Sequence, residues 1–271
     1  MSTKYIFLDI DGTVVDFDGN LPESARKALL RAQSEGHRLI AATGRFRAQI
    51  YPWLLELIKF DGYITSSGSH VRFGGETVRT SYMTRESVRW LSELFGGMGA
   101  PVIYHTDENL VTTEREYNAL IDFFVRSGLE PDECSTLFKQ MIFADARELD
   151  CIEKAVYFDS GRGLAEMRAL LGGYQLDPYS FKQLPPTCGE VTSAGVTKAS
   201  AIEAIMRRFG IGPEDVAAIG DGGNDLEMIR FAGLGIAMGN ASEQLKAEAD
   251  FVTDDIGRDG LAKAIEYITG R

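Results

Sequence analysis

The sequence predicts an α/β fold with a parallel sheet, interrupted by a long module of the α+β class. Residues 1–82 and 186–271 alternate short apolar runs with amphipathic helices, a pattern typical of strand–helix–strand units in parallel sheets. In residues 83–185, predicted strands follow one another more often than they alternate with helices. We therefore expect a core domain built from both ends of the chain and a second domain inserted between them.

Apolar runs, turn residues and cap residues delimit the elements of the first stretch. The runs Tyr5–Leu8 and Arg38–Ala42 predict two buried strands. Between them, Asn20 is a suitable N-cap for a helix that Gly36 ends. The remaining predicted elements of this stretch are a helix bent at Pro52, a strand at 62–65 and a hairpin over 70–82 that turns at Gly74-Gly75.

The insert and the return to the α/β pattern are delimited in the same way. The predicted elements of the insert are helices at 84–95, 114–127 and 164–171 and strands at 102–104, 110–112, 155–158 and near Tyr174 and Phe181. Pro185-Pro186 marks its end. The elements predicted after it are a helix from Lys198 to Phe209, a strand at 216–219, a helix from Leu226, a strand at 234–237, a helix from Ser242, a short strand at 251–252 and a terminal helix from Leu261.

Composition limits the class of protein. The 271 residues are 44% hydrophobic and 25% charged, as in ordinary globular proteins. No apolar run approaches the roughly 18 residues of a membrane helix, and the N-terminus does not resemble a signal peptide. Cys134, Cys151 and Cys188 form no CxxC pair, which favours a reducing compartment. The net charge of −12 argues against nucleic acid as the main partner. From the cysteines and the short apolar runs, we expect a cytoplasmic protein without a membrane partner.

Asp9-Ile10-Asp11-Gly12-Thr13 directly follows the first predicted strand. Side chains alternate along a strand, so Asp9 and Asp11 crowd one patch of space, and open α/β sheets bind ligands at the carboxyl ends of their strands. Two crowded carboxylates are unfavourable unless a cation or a shared proton relieves them. An acidic turn that merely closes the strand is the alternative interpretation.

Two further segments offer groups that bind anions. Thr43-Gly44-Arg45 lies between the second predicted strand and a helix N-terminus, where free backbone N–H groups favour a phosphate. Thr43 alone is equally suited to be a plain N-cap. Lys198 begins a predicted helix, a position that the helix dipole makes unfavourable for a cation. A phosphate and two carboxylates nearby would stabilise it there, whereas an exposed lysine tolerates the position without any function.

Gly220-Asp221-Gly222-Gly223-Asn224-Asp225 follows the strand predicted at 216–219. Its glycines allow a tight turn, and Asp221, Asn224 and Asp225 offer the hard oxygen ligands that Mg²⁺ prefers. A capped helix start is the alternative for this loop taken alone. Because it is the second acidic cluster at a strand end, a single cation could satisfy both clusters.

In order and context these four segments resemble the motifs of the haloacid dehalogenase superfamily of phosphohydrolases. Asp9-x-Asp11-Gly12-Thr13 is similar to the first motif, Thr43 to the second, Lys198 to the third and Gly220-Asp221-x-x-Asn224-Asp225 to the fourth. The resemblance covers the whole chain, and the insert at 83–185 looks like the large α+β (C2B-type) cap of the Cof-type sugar-phosphatase branch. Ser67, in Ser66-Ser67-Gly68, stands where that branch often has Asn.

The resemblance implies a Rossmann-like core, residues 1–82 and 186–271, and a cap, residues 83–185, that closes over the active site. Asp9 is expected to be the nucleophile, and Asp11 the general acid and base. Mg²⁺ is expected to bind the Asp9 carboxylate, the Asp11 backbone carbonyl and Asp221, with Asp225 supporting that shell. The expected phosphate-binding groups are Thr43, Lys198, Asn224 and the backbone near Ile10 and Gly44.

The function implied by this resemblance is hydrolysis of phosphomonoesters through an aspartyl-phosphate intermediate. The expected substrate is a small phosphorylated metabolite such as a sugar phosphate, and the expected assembly is a monomer or small homo-oligomer. The alternatives are a sugar phosphomutase on the same core and a non-catalytic sensor of phosphorylated ligands. A sensor needs neither a nucleophile nor a general acid, and formation of an isomer would identify a mutase. The cap is expected to select the substrate, since every chemical residue named above lies outside it.

Overall fold

The structure is a computed structural model that describes residues 2–130, 138, 140–179 and 184–270. Two units are distinguished by how the chain packs on itself. The first contains Met1–Arg45, Gln49–Thr80 and Thr197–Arg271, and the second contains Phe46–Ala48 and Ser81–Val196. Each unit has its own sheet and its own hydrophobic core.

The first unit is built on a sheet that has eight strands in the described part of the chain. β1 (Tyr5–Leu8) lies inside this sheet and pairs in parallel with β2 (Arg38–Ala42) and β12 (Val216–Gly220). The predicted α/β fold with a parallel sheet is therefore confirmed. An antiparallel hairpin closes one edge, as the Gly74-Gly75 turn predicted. In spatial order the strands are β14 (Phe251–Val252), β13 (Leu234–Ala237), β12, β1, β2, β3 (Gly62–Thr65), β4 (His70–Phe73) and β5 (Glu76–Thr80).

Helices cover both faces of this sheet. They are α1 (Glu23–Ser34), α2 (Pro52–Leu57), α6 (Lys198–Phe209), α7 (Leu226–Phe231), α8 (Glu243–Glu248) and α9 (Gly260–Ile268). Successive side chains of β1 point to opposite faces, so Ile6 packs in the cluster that contains α1 and α9 residues. Phe7 packs in the cluster that contains α6 and α7 residues. Because helices cover both faces of the sheet, the side chains on both faces of its parallel strands are mainly apolar.

The first helices begin differently from the sequence prediction. Asn20 is not the N-cap of α1, since its backbone N–H donates to Asp16 Oδ1 at 2.7 Å and the helix starts at Glu23. A carboxylate four residues upstream thus holds Asn20 in the preceding loop, and Pro22 fixes the entry into the helix. The prediction of a helix bent at Pro52 is also wrong, because α2 begins at that proline, where its missing N–H costs nothing.

The second unit contains a mixed sheet with helices on both faces. In spatial order its strands are β10 (Tyr174–Pro178), β11 (Gly189–Ser193), β9 (Lys154–Tyr157), β6 (Val102–His105), β7 (Leu110–Thr112) and β8 (Met141–Phe143). The helices in its described residues are α3 (Arg85–Met98), α4 (Glu114–Arg126) and α5 (Leu164–Leu170). Tyr157 packs in the cluster that contains α3 and α5 residues, and Val156 packs in the cluster that contains α4 residues.

The second unit is longer than the sequence predicted. Residues 186–196 were expected in the core, but β11 pairs antiparallel with both β9 and β10, so the second unit extends to Val196. Phe46 also belongs to it, with its ring edge-on to His105 at a centroid distance of 5.5 Å. β8 was not predicted either, and the predictions at Phe181 and Cys134 fall outside the described residues.

In the part of the chain that the structure describes, no helix has the length and apolar character needed to span a membrane.

Candidate active site

The candidate site lies in the first unit, where the loops after its parallel strands meet at one edge of the sheet. Asp9 follows β1, Thr43 follows β2 and Asp221 follows β12. The Asp9 N–H donates to Ile219 O at 3.0 Å and so continues the strand ladder into the first loop. The register of the sheet, and not the local sequence alone, therefore brings these loops together.

Lys198 links two of the carboxylates. Its Nζ donates to Asp9 Oδ1 and to Asp225 Oδ1, each at 2.6 Å, and the lysine side chain is 1% exposed. The position of Lys198 is fixed by a capping box at the start of α6, in which Thr197 and Ser200 exchange hydrogen bonds. Burial by itself would lower the pKa of Lys198, but Asp225 and Asp9 raise it by a larger amount. The pKa of Lys198 therefore lies above its ordinary value, and the ammonium remains charged.

One lysine does not neutralise the acidic cluster. One carboxylate oxygen from each of Asp9, Asp221 and Asp225 lies within 4.8 Å of the other two. Burial, and then repulsion from Asp225, raise the pKa of Asp9 well above its ordinary value despite Lys198. The same two causes raise the pKa of Asp221 to about 7. Buried carboxylates with raised pKa values and oxygen-only donors fit a divalent cation such as Mg²⁺.

Asp221 is held in place by two neighbouring loops. Thr13 Oγ1 donates to Asp221 Oδ1 at 2.8 Å, and Asn240 Nδ2 donates to Asp221 Oδ2 at 3.2 Å. Asn240 Nδ2 also donates to Gly12 O at 2.9 Å. Gly12 has a φ of +86°, and a Cβ there would lie 2.2 Å from Asp221 Oδ2, so only glycine allows this approach.

Asp225 shapes the loop that carries Asp221. Its Oδ2 accepts hydrogen bonds from the N–H groups of Asp221 at 3.0 Å and Gly222 at 2.9 Å, while its Oδ1 accepts from Lys198. Both oxygens of this fully buried carboxylate are thus engaged. Asn224 lies partly buried in the same turn, Gly223–Asp225.

Asp11 is directed towards a different partner. Arg45 donates to both of its carboxylate oxygens, and the Tyr51 hydroxyl donates to Asp11 Oδ1 at 3.1 Å. Tyr51 Oη in turn accepts from Arg45 Nη2 at 2.8 Å, and the guanidinium lies over the Tyr51 ring at 4.4 Å. Such bidentate pairs fix a carboxylate in direction as well as in position.

Thr43 is buried, and its hydroxyl shapes the backbone of its loop. Thr43 Oγ1 accepts the N–H of Arg45 at 3.1 Å, and the Thr43 N–H donates to Ile64 O at 2.8 Å on the adjacent strand. Ile10 has its side chain in the core, while its carbonyl accepts from Val14 and Val15 in the loop after β1. These hydrogen bonds hold the backbone of the loops after β1 and β2.

A sequence model of the haloacid dehalogenase-like hydrolases matches residues 6–265. The chain belongs to that family. The resemblance predicted from the four motifs is therefore confirmed, and the match covers both units.

Individual relatives match over nearly the whole chain. The 5-amino-6-(5-phospho-D-ribitylamino)uracil phosphatase of Bacillus subtilis (strain 168) is 27% identical over 266 residues, which are 97% of this chain and 95% of that protein. The pyridoxal phosphate phosphatase of Escherichia coli (strain K12) is 26% identical over 272 residues, which are 98% of each. A solved structure of a subclass IIB sugar phosphatase has a TM-score of 0.78 and 30% identity, and the match covers 98% of this chain and 99% of that one. At the level of the family, these matches support the predicted phosphoric monoester hydrolase.

The site of this family member contains residues that sequence reasoning missed. It brings Asp9, Asp221, Asp225 and Lys198 together, whereas the Asp11 carboxylate is held by Arg45. The partners of Asp221 and Asp11, namely Thr13, Asn240, Arg45 and Tyr51, were not assigned a role. A signal existed for Asn240, which closely follows the predicted strand at 234–237 and so lies at the same sheet edge.

Proposed function

We propose that this protein is a Mg²⁺-dependent phosphomonoester hydrolase of small phosphorylated metabolites, with sugar phosphates the first class to test. Reaction proceeds through an aspartyl-phosphate intermediate on Asp9. The relatives named above act, by their names, on a phosphorylated ribitylaminouracil and on pyridoxal phosphate, and the similar solved structure is a sugar phosphatase. These names support a small phosphorylated substrate.

One observation carries the proposal. Lys198 Nζ lies 2.6 Å from both Asp9 and Asp225, inside a buried cluster whose third carboxylate is Asp221. An ion pair buried solely for stability gains little over an apolar replacement, whereas a nucleophile beside a fixed cation is typical of phosphoryl transfer. The arrangement therefore favours chemistry over structure.

In the first step, an Asp9 carboxylate oxygen forms a bond to phosphorus as the bond from phosphorus to the leaving oxygen breaks. The electron pair of that broken bond stays on the leaving oxygen, which takes a proton from Asp11. Lys198 and Thr43 hold phosphoryl oxygens and stabilise the charge that develops on them, together with Asn224 and the backbone at Ile10 and Gly44.

In the second step, a water molecule attacks phosphorus of the aspartyl phosphate. Asp11 takes a proton from this water, and the phosphorus–oxygen bond to Asp9 breaks, so that inorganic phosphate and the free carboxylate are restored. Arg45 and Tyr51 keep the Asp11 carboxylate directed during this exchange. The two steps use the same group first as acid and then as base.

The proposed cation ligands are the Asp9 carboxylate, the Asp11 backbone carbonyl and Asp221, with Asp225 supporting them through the loop. A bound divalent cation would neutralise charge between the phosphoryl group and the attacking carboxylate. Thr13 and Asn240 orient Asp221 towards that role.

We assign the choice of substrate to residues 81–196 of the second unit, as a cap. All residues of the two chemical steps belong to the first unit. Substitutions in the second unit should therefore change relative kcat/KM values among sugar phosphates by about tenfold. Turnover of a small substrate such as acetyl phosphate should remain nearly intact.

The test is release of inorganic phosphate from p-nitrophenyl phosphate and from a panel of sugar phosphates. We expect turnover in excess Mg²⁺ and none in excess EDTA. We also expect suppression by Ca²⁺, because Ca²⁺ takes more ligands at longer distances and would bind both carboxylate oxygens of Asp9. Full activity in EDTA, or equal activity with Ca²⁺, would count against the site. Formation of a sugar phosphate isomer without phosphate release would identify a mutase instead.

A further inference from the structure

A turn with an unusual backbone lies beside the candidate site. Ser66, Ser67 and Gly68 have φ values of 49°, 57° and 111°, so three consecutive residues occupy positive φ. Two of them carry side chains, for which this conformation is sparsely populated and persists only where the surroundings hold it. All three residues are buried.

The turn contacts both segments that are proposed to bind the phosphoryl group. The Ser66 N–H donates to Arg45 O at 2.8 Å, and the Ser67 N–H donates to Thr43 O at 3.1 Å. On its other side, a Cβ on Gly68 would lie 2.3 Å from Thr197 O and 3.3 Å from Lys198 N. The turn therefore packs against the Thr43 loop on one side and against the first peptide of α6 on the other.

Arg79 on β5 ties this turn to the same helix. Its Nη2 donates to Gly68 O at 2.9 Å and to Ser200 Oγ at 3.1 Å, and its Nη1 donates to Ser200 O at 3.1 Å. Ser200 is the residue whose hydroxyl caps α6 by accepting the Thr197 N–H at 3.0 Å. One guanidinium thus connects the turn with the capping box that fixes Lys198.

The strand around Arg79 is shaped for this contact. The β4–β5 pairing shifts register there, since Val71 lies opposite Arg79 whereas Arg72 lies opposite Thr77. Such a bulge re-aims the side chain next to it. Arg79 Nε is buried and has no hydrogen-bond partner in the described part of the chain. A partly buried guanidinium with an unused donor is unfavourable for stability alone.

We infer that Arg79 is a positioning residue that aligns the Thr43 loop with the Lys198 end of α6. This inference rests on the proposed function, in which both segments hold phosphoryl oxygens. Arginine suits the task because two separate nitrogens of its planar fork donate to three acceptors on two segments, whereas a lysine ammonium donates from a single nitrogen without a fixed plane. Arg79 itself donates to the turn and to the helix, and it acts on the reaction only through them.

The phosphoryl group is common to all substrates, and this predicts a distinctive kinetic pattern. Replacing Arg79 with alanine should lower kcat/KM by about 10- to 100-fold, since a displacement of about 1 Å costs that much in a preorganised site. The loss should be the same for p-nitrophenyl phosphate and for sugar phosphates. The inhibition constant of inorganic phosphate should rise as well, because Thr43 and Lys198 also bind the product.

The experiment compares wild type with Arg79→Ala and Arg79→Lys under saturating Mg²⁺, well below the unfolding temperature of each variant. Arg72→Ala is the matched control, because Arg72 lies on the neighbouring strand with an exposed side chain, and its kcat/KM should stay within about twofold of wild type. Arg79→Lys should recover only part of the lost activity. Added guanidinium should restore activity to Arg79→Ala and not to Arg72→Ala.

Three results would overturn the inference. The first is a folded Arg79→Ala variant with kcat/KM and phosphate inhibition within twofold of wild type. The second is a variant that unfolds at a lower temperature while its kinetics stay unchanged. The third is a loss that differs among leaving groups. If Arg79→Ala does not fold, Arg79→Lys is judged by the same criteria. Wild type that releases no phosphate would refute the proposed function, which is a separate outcome.

Discussion

Arg45 donates hydrogen bonds to both carboxylate oxygens of Asp11, from Nε to Oδ2 at 2.6 Å and from Nη2 to Oδ1 at 2.8 Å. The Tyr51 hydroxyl accepts from the same guanidinium and donates to Asp11, so the three groups form a closed triangle. The residue proposed as general acid and base therefore has a fixed direction. Residues from the loop after β2 set it, although Asp11 itself follows β1.

Replacing Arg45 with methionine should impair acid catalysis selectively. Nitrophenolate leaves without a proton, whereas the alkoxide of a sugar phosphate needs one. A misdirected Asp11 should therefore lower kcat/KM more for the sugar phosphate than for p-nitrophenyl phosphate. We expect the ratio of kcat/KM for a sugar phosphate to that for p-nitrophenyl phosphate to fall by about tenfold or more. Arg38→Met, which breaks an exposed ion pair with Asp61, is the control. An equal loss on both substrates would show that Arg45 does not direct Asp11.

Replacing Asp9 with asparagine should abolish turnover and leave the protein folded. Burial and the neighbouring carboxylates raise the pKa of Asp9 above its ordinary value in spite of Lys198, so its ionised form is disfavoured in the metal-free protein. The unfolding midpoint of Asp9→Asn in EDTA should therefore equal or exceed that of wild type. Phosphate release and thermal unfolding measure the two effects. Activity within about tenfold of wild type would exclude Asp9 as the nucleophile.

Stability should depend on pH through Asp221. Burial first, and then Asp225, raise its pKa from 3.8 to about 7 in the metal-free protein. Between these values the folded state binds more protons than the unfolded state, so the free energy of unfolding should fall as pH rises from about 4 to about 7. Mg²⁺ requires ionised ligands and should stabilise the protein more at about pH 8 than at about pH 5.

Thermal unfolding in EDTA and in excess Mg²⁺ across this pH range measures both dependences. Asp221→Asn should weaken both dependences, because an amide neither titrates nor carries the charge that the cation needs, while Asp9 still contributes. Stabilisation by Mg²⁺ that is equal at the two pH values would contradict the assignment of Asp221 as a ligand.

The sequence predicted the residues that follow strands and missed the contacts between loops. Asp9 and Asp221 were predicted because parallel strands align their carboxyl ends, which is a property of topology, and Lys198 was predicted because a cation at the start of a helix needs nearby negative charge. The pairs Arg45–Asp11 and Asn240–Asp221 join loops that are 34 and 19 residues apart, and no periodicity encodes the direction of those side chains. β11 was missed for a related reason, since Gly189–Ser193 contains one strongly apolar residue, Val191.

The polar character of β11 leads to a prediction about the second unit. Glu190 on β11 accepts from Lys154 Nζ on β9 at 2.9 Å, and their side chains are 5% and 1% exposed. Glu190→Gln would remove a buried carboxylate that accepts from Lys154, at an expected cost of about 3–5 kcal/mol in the free energy of unfolding. The double variant Lys154→Met with Glu190→Leu removes both charges and should be clearly more stable than Glu190→Gln.

Urea unfolding followed by circular dichroism measures these differences. Arg85→Met, which breaks an ion pair with the exposed Asp150, is the matched control and should change stability little. A double variant no more stable than Glu190→Gln would mean that the pair stabilises the unit beyond charge compensation.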